Sequence, residues 1–250
     1  MTPDLVERYL ERLGMPRPRH PLTPADVAAL ARAHGARIPF ENLRLHPDGA
    51  LVLDEALIVR RILDDGEGGL CYELNSAFGL LLTALGAEVT LLGATVEITT
   101  GDLPGRSIPL SHMALQVRMP GAVQHVDVGF GGSVIVRREA TDSERVTADP
   151  GRSYIVDGTA RRLSEFADAA HWHSSSPESR FQRSVVCSLA LPDGNVTLSA
   201  VPAMPTGTGL QWRFTEHGAQ RPVTTDEAQR LLRTRFGMTR PLPTALHRGE

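Results

Sequence analysis

The chain has 250 residues, of which 41% are hydrophobic and 22% charged, so it is long enough to bury at least one complete core and to divide into subdomains. Its 26 basic and 29 acidic residues give a net charge of -3, which argues against a protein that binds nucleic acid by neutralising phosphates. The composition also excludes collagen-like, coiled-coil and disordered chains. All 26 basic residues are arginine, a bias that a GC-rich genome explains most simply.

Neither a membrane segment nor a metal site is predicted. The longest nearly apolar stretch, residues 77–87, is far shorter than the roughly 20 residues that a membrane helix needs, and the first residues lack the basic and apolar pattern of a signal peptide. We therefore expect a cytoplasmic protein. The only two cysteines, Cys71 and Cys187, are too few for a disulfide scaffold or a four-thiolate zinc site.

Helical patterns dominate the first 86 residues. Apolar side chains recur at helical spacing over residues 4–13, and Thr23 followed by Pro24 is a typical start for a second helix. A third helix is predicted over residues 54–64 and a strongly apolar fourth over residues 71–85. Three glycines just before the fourth helix place Cys71 at or beside its N-terminus.

From residue 88 the pattern changes to that of strands. The predicted strands, which are rich in β-branched residues or alternate in polarity, are residues 89–98, 113–119, 123–128, 184–190 and 195–201. Residues 192–195 read Pro-Asp-Gly-Asn and predict a hairpin turn between the last two. A capping threonine, first-turn acids and a stop at Gly237 predict a final helix over residues 228–236.

Cys71 is the first candidate for chemistry. A helix N-terminus supplies partial positive charge and free backbone amides, both of which stabilise a thiolate. The preceding Gly68 and Gly69 allow a backbone or a substrate to approach closely. Taken alone, a single cysteine in an apolar helix is better explained as an inert core residue.

His112 and Asp127 strengthen the catalytic interpretation of Cys71. A thiol nucleophile needs an adjacent base, and an imidazole needs a carboxylate that fixes its tautomer. Both residues lie at predicted strands, and Asp127 stands between two valines, where an unpaired carboxylate is costly to bury. Spacing alone leaves open a core histidine and a turn-forming aspartate.

The sequence around these three residues resembles a known family. The segment GGLCYELN at residues 68–75, preceded by IPFENL at residues 38–43 and followed by His112 and by VDVGFG at residues 126–131, is similar to the arylamine N-acetyltransferases. The resemblance is strong over residues 22–132 and weaker from residue 176 to the final helix. Residues 133–170 match little.

The resemblance implies an α+β fold in three parts. These are a helical bundle at residues 1–86 that carries the nucleophile, a β-barrel at residues 87–190 that carries the histidine and the aspartate, and an α/β lid at residues 191–250. A cysteine-protease-like triad then lies where the first two parts meet. In that triad Cys71 accepts the acyl group, His112 is its base, and Asp127 orients the histidine.

The implied chemistry is ping-pong acyl transfer that forms an amide. A thioester, normally acetyl coenzyme A, acylates the cysteine, and a small arylamine, hydrazine or N-hydroxyarylamine then takes the acyl group. No permanently bound cofactor, no nucleic acid and no membrane is implied as a partner.

Further residues receive expected roles, each with a structural alternative. The resemblance suggests a donor-binding loop at Gly129, Phe130, Gly131 and Gly132, which a plain strand exit explains equally well. Phe40 and Tyr72 are candidates to stack on an aromatic amine, or else belong to the core. His125 is expected to be structural and Cys187 to be a buried hydrophobic residue. No metal site is expected at His171 and His173, because these histidines flanking Trp172 lack suitably spaced carboxylate or cysteine ligands.

One departure from the family pattern supports a second interpretation. The family usually has an arginine immediately before the paired glycines, whereas this chain has Glu67, so any ion pair at that position must be rebuilt. This change and the compact chain also fit an amide synthase that releases a polyketide or related acyl chain from a carrier protein, in some cases as a macrolactam. A binding module without catalysis is the third alternative, and an unreactive Cys71 would favour it.

Overall fold

The computed structural model describes residues 1–98, 105–139, 141–149, 151–204 and 209–246. Most of the helices in these ranges lie in the N-terminal third, and one closes the chain. The helices are α1 (Pro3–Leu13), α2 (Pro24–Arg37), α3 (Leu45–Asp48), α4 (Glu55–Leu63), α5 (Cys71–Ala84), the 3-10 helix η1 (Leu163–Phe166), α6 (Ala167–Ser175), α7 (Arg180–Arg183) and α8 (Thr225–Phe236).

The described strands form two antiparallel sheets. The strands are β1 (Phe40–Glu41), β2 (Glu88–Ile98), β3 (Gly105–Arg106), β4 (His112–Met119), β5 (Ala122–Asp127), β6 (Ile135–Arg138), β7 (Arg145–Asp149), β8 (Arg152–Arg161), β9 (Val185–Leu191), β10 (Gly194–Pro202), β11 (Leu210–Glu216) and β12 (Ala219–Val223). One sheet has the order β6-β5-β4-β2-β8-β7, with β3 also paired to β2, and the other has the order β1-β9-β10-β11-β12.

Capping interactions explain where the predicted helices begin. The Thr23 hydroxyl accepts the Asp26 N–H at 3.2 Å, while the Asp26 carboxylate accepts the Thr23 N–H at 2.9 Å, so α2 starts with a reciprocal cap. Thr224 accepts the Glu227 N–H at 3.2 Å and starts α8, which ends at Gly237 in the left-handed conformation. The predicted helices over residues 4–13, 54–64, 71–85 and 228–236 are confirmed within a few residues.

The central sheet is nearly a barrel. Its strands curl around a small apolar interior that includes Leu92, Ala114 and Tyr154. Its two edge strands, β6 and β7, are not paired by backbone hydrogen bonds in the described ranges. An ion pair between Arg137 of β6 and Glu144, which immediately precedes β7, links these two edges. The predicted barrel is therefore present as a sheet that side chains help to close.

The second sheet crosses the predicted boundary at residue 190. Leu191 pairs with Gly194, so the predicted hairpin turn is confirmed, and β9 and β10 belong to one sheet. In addition, Phe40 of β1 pairs with Ser188 of β9, which ties the N-terminal part to this sheet. One face of this sheet packs on α8 through a cluster that includes Trp212 and Leu232. The division into three units remains a prediction.

Two features of residues 133–184 escaped prediction. The strand β8 pairs with β2 along nearly its whole length, although its sequence suggested no assignment. Ser174 and Ser175 end α6, although a run of serines is more typical of a loop. Their hydroxyls donate to the carbonyl oxygens of Ala170 and His171, four residues earlier, at 2.9 and 2.8 Å. The two hydroxyls therefore have hydrogen-bond acceptors inside the helix, whereas free serine hydroxyls compete with helical bonds and favour a loop.

Candidate active site

Cys71 is the first residue of α5, as the sequence predicted. The helix starts here because the Glu73 carboxylate accepts the Leu70 N–H at 3.0 Å. The thiol side chain is only 5% exposed and lines a cavity. As the first two residues of the helix, Cys71 and Tyr72 have N–H groups without an intrahelical acceptor, so the helix presents donors and a partial positive charge beside the sulfur.

The paired glycines before Cys71 are required by close packing. A Cβ on Gly68 would lie 1.8 Å from the carbonyl oxygen of Pro39, and one on Gly69 would lie 2.6 Å from the Glu73 carboxylate. The Gly69 carbonyl in turn accepts the Glu41 N–H at 3.0 Å. The segments at residues 38–43 and 68–75 are therefore in direct contact, and this contact holds the backbone that leads into Cys71.

Glu67 takes part in an ion-pair network. Its carboxylate lies 3.2 Å from Arg44 and 2.7 Å from Arg240, and all three side chains are largely buried. Arg44 also pairs with Glu73, whose carboxylate caps α5. The acid at position 67 therefore connects the C-terminal segment to the start of α5.

His112 and Asp127 lie side by side because their strands are antiparallel neighbours. His112 begins β4 and Asp127 ends β5, and the pairing of Leu115 with Val126 sets the register between them. The His112 Nε2 is 2.7 Å from the Asp127 Oδ2, and both side chains are buried. This bond leaves Nδ1 as the ring nitrogen that is free to exchange a proton with Cys71, which lines the same cavity as His112.

Asn75 holds the aspartate in place. Its Nδ2 donates to Asp127 Oδ1 at 2.9 Å and to the Met113 carbonyl at 2.7 Å, while its Oδ1 accepts the Val128 N–H at 3.0 Å. The Gly129 N–H donates to the same aspartate oxygen at 2.8 Å. Burial raises the pKa of Asp127, but the bonds to His112, Asn75 and Gly129 outweigh it, and the pKa is lowered. Asp127 is therefore ionised at neutral pH.

The environment of His112 favours the imidazolium. Burial acts to lower the pKa of His112, but the charges of Asp127 and Cys71 and the hydrogen bonds to both raise it to about 10. An imidazolium beside a sulfur stabilises the thiolate, which is the nucleophilic form of cysteine. The His112 imidazolium, held by Asp127, therefore lies beside the sulfur of Cys71.

Tyr154 lies behind this pair and was missed from the sequence. Its ring centroid is 4.7 Å from that of His112, and its hydroxyl is hydrogen-bonded to Asp127 and, at 2.7 Å, to the Nε2 of His125. Burial lowers the pKa of His125 to about 4, so this histidine is neutral. His125 is thus structural, as predicted. The apolar residues of β8 are consecutive, at positions 154–156, so they gave no alternating strand pattern, and nothing local tied Tyr154 to His112.

A cavity of about 240 Å³ opens over Cys71 and His112. Phe40, Phe181 and Val96 supply apolar walls, and Ser188, Asn195 and Thr197 of the second sheet supply polar ones. Both sheets and the helical region therefore contribute to one space beside the thiol. Ligand pockets combine such apolar walls with a few convergent polar groups.

Gly129, Phe130 and Gly131 line this cavity. A Cβ on Gly129 would lie 2.7 Å from the Cα of Cys71, so only glycine fits between the strand exit and Cys71. Arg152, another residue missed from the sequence, donates to the Phe130 carbonyl at 2.7 Å and lies 4.9 Å from the centre of the Phe130 ring. This arginine of β8 holds the segment against the cavity.

The other candidates are distributed differently. Phe40 lines the cavity, as expected of an acceptor-stacking residue. Tyr72 does not: it is fully buried, its hydroxyl donates to the Leu110 carbonyl at 2.9 Å, and its ring packs on Phe166, so its expected acceptor role is replaced by a core position. Gly132 also lies outside the lining, where a Cβ would meet the Ser188 hydroxyl at 2.5 Å.

The histidines of α6 do not form a metal site. The ring of His173 is buried and its Nε2 donates to the Ser111 carbonyl at 3.0 Å, whereas His171 is exposed. Within the described residues there is no group of three or more histidine, cysteine or acidic side chains arranged to hold a metal ion.

Cys187 is fully buried in β9, with its sulfur 3.9 Å from that of Met238. Across the same ranges, none of the helices combines the length and apolar character that a bilayer crossing demands.

Sequence comparisons identify relatives of the chain. A family model described as N-acetyltransferase matches residues 25–159 and 139–241. An arylamine N-acetyltransferase of Mycolicibacterium smegmatis is 38% identical over 154 residues, which are 58% of this chain and 54% of the relative. Human arylamine N-acetyltransferase 1 is 33% identical over 128 residues, which are 51% of this chain and 43% of the relative. The chain thus matches about half the length of these curated relatives.

Solved structures share the fold. Arylamine N-acetyltransferase from Salmonella typhimurium superposes with a TM-score of 0.77 at 23% identity, covering 96% of this chain and 92% of that one. A Bacillus cereus arylamine N-acetyltransferase superposes with a TM-score of 0.77 at 20% identity, covering 96% and 100%. The latter is described as having a unique Cys-His-Glu catalytic triad, whereas the acid beside His112 in this chain is Asp127.

Proposed function

Because the chain belongs to the arylamine N-acetyltransferase family, we propose that it transfers an acetyl group from a thioester, such as acetyl coenzyme A, to a small aromatic amine. The observation that carries this proposal is the hydrogen bond between His112 and Asp127 next to a cavity that both Cys71 and His112 line. Hydrazines and N-hydroxyarylamines also belong to the proposed acceptor class, because each has a nucleophilic nitrogen or oxygen that can take the acetyl group.

In the first step, the Cys71 thiolate attacks the carbonyl carbon of the thioester. The new carbon–sulfur bond forms, the bond to the donor's sulfur breaks, and the His112 imidazolium gives its proton to the departing thiolate. One thioester replaces another, so this step is nearly balanced in free energy. The products are an acyl-cysteine, a neutral His112 and a free donor thiol.

In the second step, the amine attacks the acyl-cysteine. Neutral His112 accepts the proton that the amine loses, the amide bond forms, and the bond between carbon and the Cys71 sulfur breaks. The thiolate and the imidazolium are thereby restored. Asp127 keeps the ring orientation through both steps, and Asn75 and the Gly129 N–H fix Asp127 itself.

Both steps pass through a tetrahedral oxyanion that needs hydrogen-bond donors. The N–H groups of Cys71 and Tyr72 at the start of α5 are the proposed donors, because neither has an acceptor within the helix. The partial positive charge of the helix N-terminus also stabilises the negative charge of this oxyanion.

The size of the cavity favours a small acyl group over the alternative of an amide synthase. Its volume of about 240 Å³ lies below the roughly 300–1,000 Å³ of pockets that enclose drug-sized ligands. An acetyl group and a single aromatic ring suit such a space better than an extended polyketide chain on a carrier protein.

Intact mass spectrometry tests the proposal. Purified protein is incubated separately with acetyl coenzyme A and with longer acyl thioesters, and the modified peptide is mapped. We expect rapid addition of one acetyl group at Cys71, none in Cys71→Ser, and an unchanged rate in Cys187→Ala, whose thiol is fully buried. Acylation by longer or carrier-bound chains only would support the amide synthase, and no acylation by any thioester would support a noncatalytic relative.

A further inference from the structure

The cavity beside Cys71 has an uneven charge distribution. Two arginines, Arg152 and Arg180, are among the described residues that line it, and these lining residues include no aspartate or glutamate. Arg152 is engaged with the backbone, since it donates to the carbonyl oxygens of Phe130 and Gly131. A substrate that enters therefore meets positive charge without a neighbouring carboxylate in the lining.

Arg180 differs from Arg152 in its surroundings. It is the first residue of α7, its side chain is exposed while also lining the cavity, and its guanidinium lies 5.8 Å from the centre of the Phe181 ring. In the described part of the chain the guanidinium makes no hydrogen bond or ion pair. Partial removal from water and the charge of Arg152 both lower the pKa of Arg180, so the two cations repel each other across the same space.

The position of Arg180 relative to the aromatic walls suits a substrate. Phe181 packs against Phe40 with ring centroids 5.9 Å apart, and both rings line the cavity that contains the Cys71 thiol. The cavity therefore combines a nucleophile, an aromatic wall and a guanidinium with unused donors. Guanidinium groups bind carboxylate and phosphate oxygens through two parallel hydrogen bonds.

We propose that Arg180 is a specificity-determining residue that binds an oxyanion of a substrate. This inference rests on the proposed acyl transfer and deepens it. The oxyanion has two possible sources in that reaction, namely a phosphate of a coenzyme A thioester and the carboxylate of an acidic aromatic amine. Either group would offset the repulsion between the two arginines.

The test compares Arg180→Gln with Arg183→Gln in separate half-reactions. Arg183 lies on the same short helix, is exposed, donates to the Glu178 carbonyl at 2.7 Å and does not line the cavity, so it is a matched control. Acylation is measured with acetyl coenzyme A and with acetyl-pantetheine, which lacks the phosphates. Release of the acetyl group is measured with 4-aminobenzoate and with aniline, which lacks the carboxylate.

We expect Arg180→Gln to lower kcat/KM by about 10-fold for the anionic member of one pair, with the neutral member and the Arg183→Gln variant unchanged. A lower kcat/KM with acetyl coenzyme A identifies a phosphate as the oxyanion that Arg180 binds. A lower kcat/KM with 4-aminobenzoate identifies the carboxylate. Equal effects on the charged and neutral members, or no effect on either pair, would overturn the proposal.

A binding measurement separates this inference from the proposed function. If the wild-type protein formed no acyl-enzyme, acyl transfer would fail as the function, but calorimetry with coenzyme A and with 4-aminobenzoate would still test Arg180. About 10-fold weaker binding of either compound to Arg180→Gln than to Arg183→Gln supports the anion site. Equal binding to both variants overturns it.

Discussion

Replacement of Asp127 by asparagine tests how the carboxylate supports His112. Raising the pKa of a histidine from 6.5 to about 10 corresponds to about 5 kcal/mol of preference for the imidazolium. Asparagine removes the Asp127 charge while burial, which acts in the opposite direction, remains. We therefore expect the pKa of His112 in Asp127→Asn to fall below 6.5, so that the ring is neutral at pH 7.

The substitution also reverses a hydrogen bond. Asp127 Oδ1 accepts from Asn75 and from the Gly129 N–H, so the amide oxygen of asparagine would keep this position and its NH₂ group would face the ring. Nε2 of His112 would then have to accept, and the proton would move to Nδ1, the nitrogen nearer to Cys71. This tautomer cannot take a proton from the amine, and we expect acyl transfer to fall about 1,000-fold or more.

Alkylation of Cys71 by iodoacetamide provides an assay that needs no substrate. In a Cys187→Ala background the wild-type site should react rapidly at pH 7, whereas Asp127→Asn should react slowly and accelerate toward pH 8.5, as an ordinary thiol does. Asp193→Asn, which alters an exposed acid 3.5 Å from His217, is the control. Wild-type alkylation and transfer rates at pH 7 in a folded Asp127→Asn would refute the role given to the carboxylate.

Three further predictions concern packing, the ion-pair network and acid stability. Gly129→Ala would place a Cβ 2.7 Å from the Cα of Cys71, so we expect an acylation rate about 100-fold lower with secondary structure retained by circular dichroism; a normal rate would contradict the packing. Glu67→Gln removes the charge that Arg44 and Arg240 share and turns one of the two acceptor oxygens into an NH₂ group, so it should lower the free energy of unfolding in urea by about 2 kcal/mol, whereas the exposed Glu178→Gln should change it little. Burial lowers the pKa of His34 to about 3, so the unfolded chain, with an ordinary pKa of 6.5, takes up the proton first as pH falls, and stability is lost below pH 6.5. From pH 7 to 5.5 this group should cost about 1.2 kcal/mol in urea unfolding, a loss that His34→Phe should remove; an equal loss in both proteins would refute it.

The helical region and the nucleophile were predictable because their signals are local. Thr23 and Asp26 cap a helix three residues apart, and the glycines before Cys71 mark the start of another. The positions of His112 and Asp127 followed from two adjacent strands joined by a short turn, whose antiparallel pairing brings their ends together. For these elements the neighbouring residues contain the information that sets the geometry.

The cavity wall was not predictable for the opposite reason. Tyr154 and Arg152 reach the site only because β8 pairs with β2, in a register that aligns Tyr154 with Val96, 58 positions earlier in the sequence. Arg180 lies on a four-residue helix whose sequence has no distinctive pattern. Tyr72 shows the converse: an aromatic residue beside the nucleophile has the same sequence signal whether it faces a cavity or the core, and here it lies in the core.

The central claim is that Cys71 holds the acyl group between two half-reactions. The most direct measurement is to acetylate the protein, remove all acetyl coenzyme A by gel filtration, add aniline, and follow the protein by intact mass and acetanilide by chromatography. The account predicts loss of one acetyl group from Cys71 with formation of one equivalent of acetanilide, and none from Cys71→Ser carried through the same procedure. An acetyl-protein that stays acetylated with aniline, while the complete mixture still forms acetanilide, would contradict it.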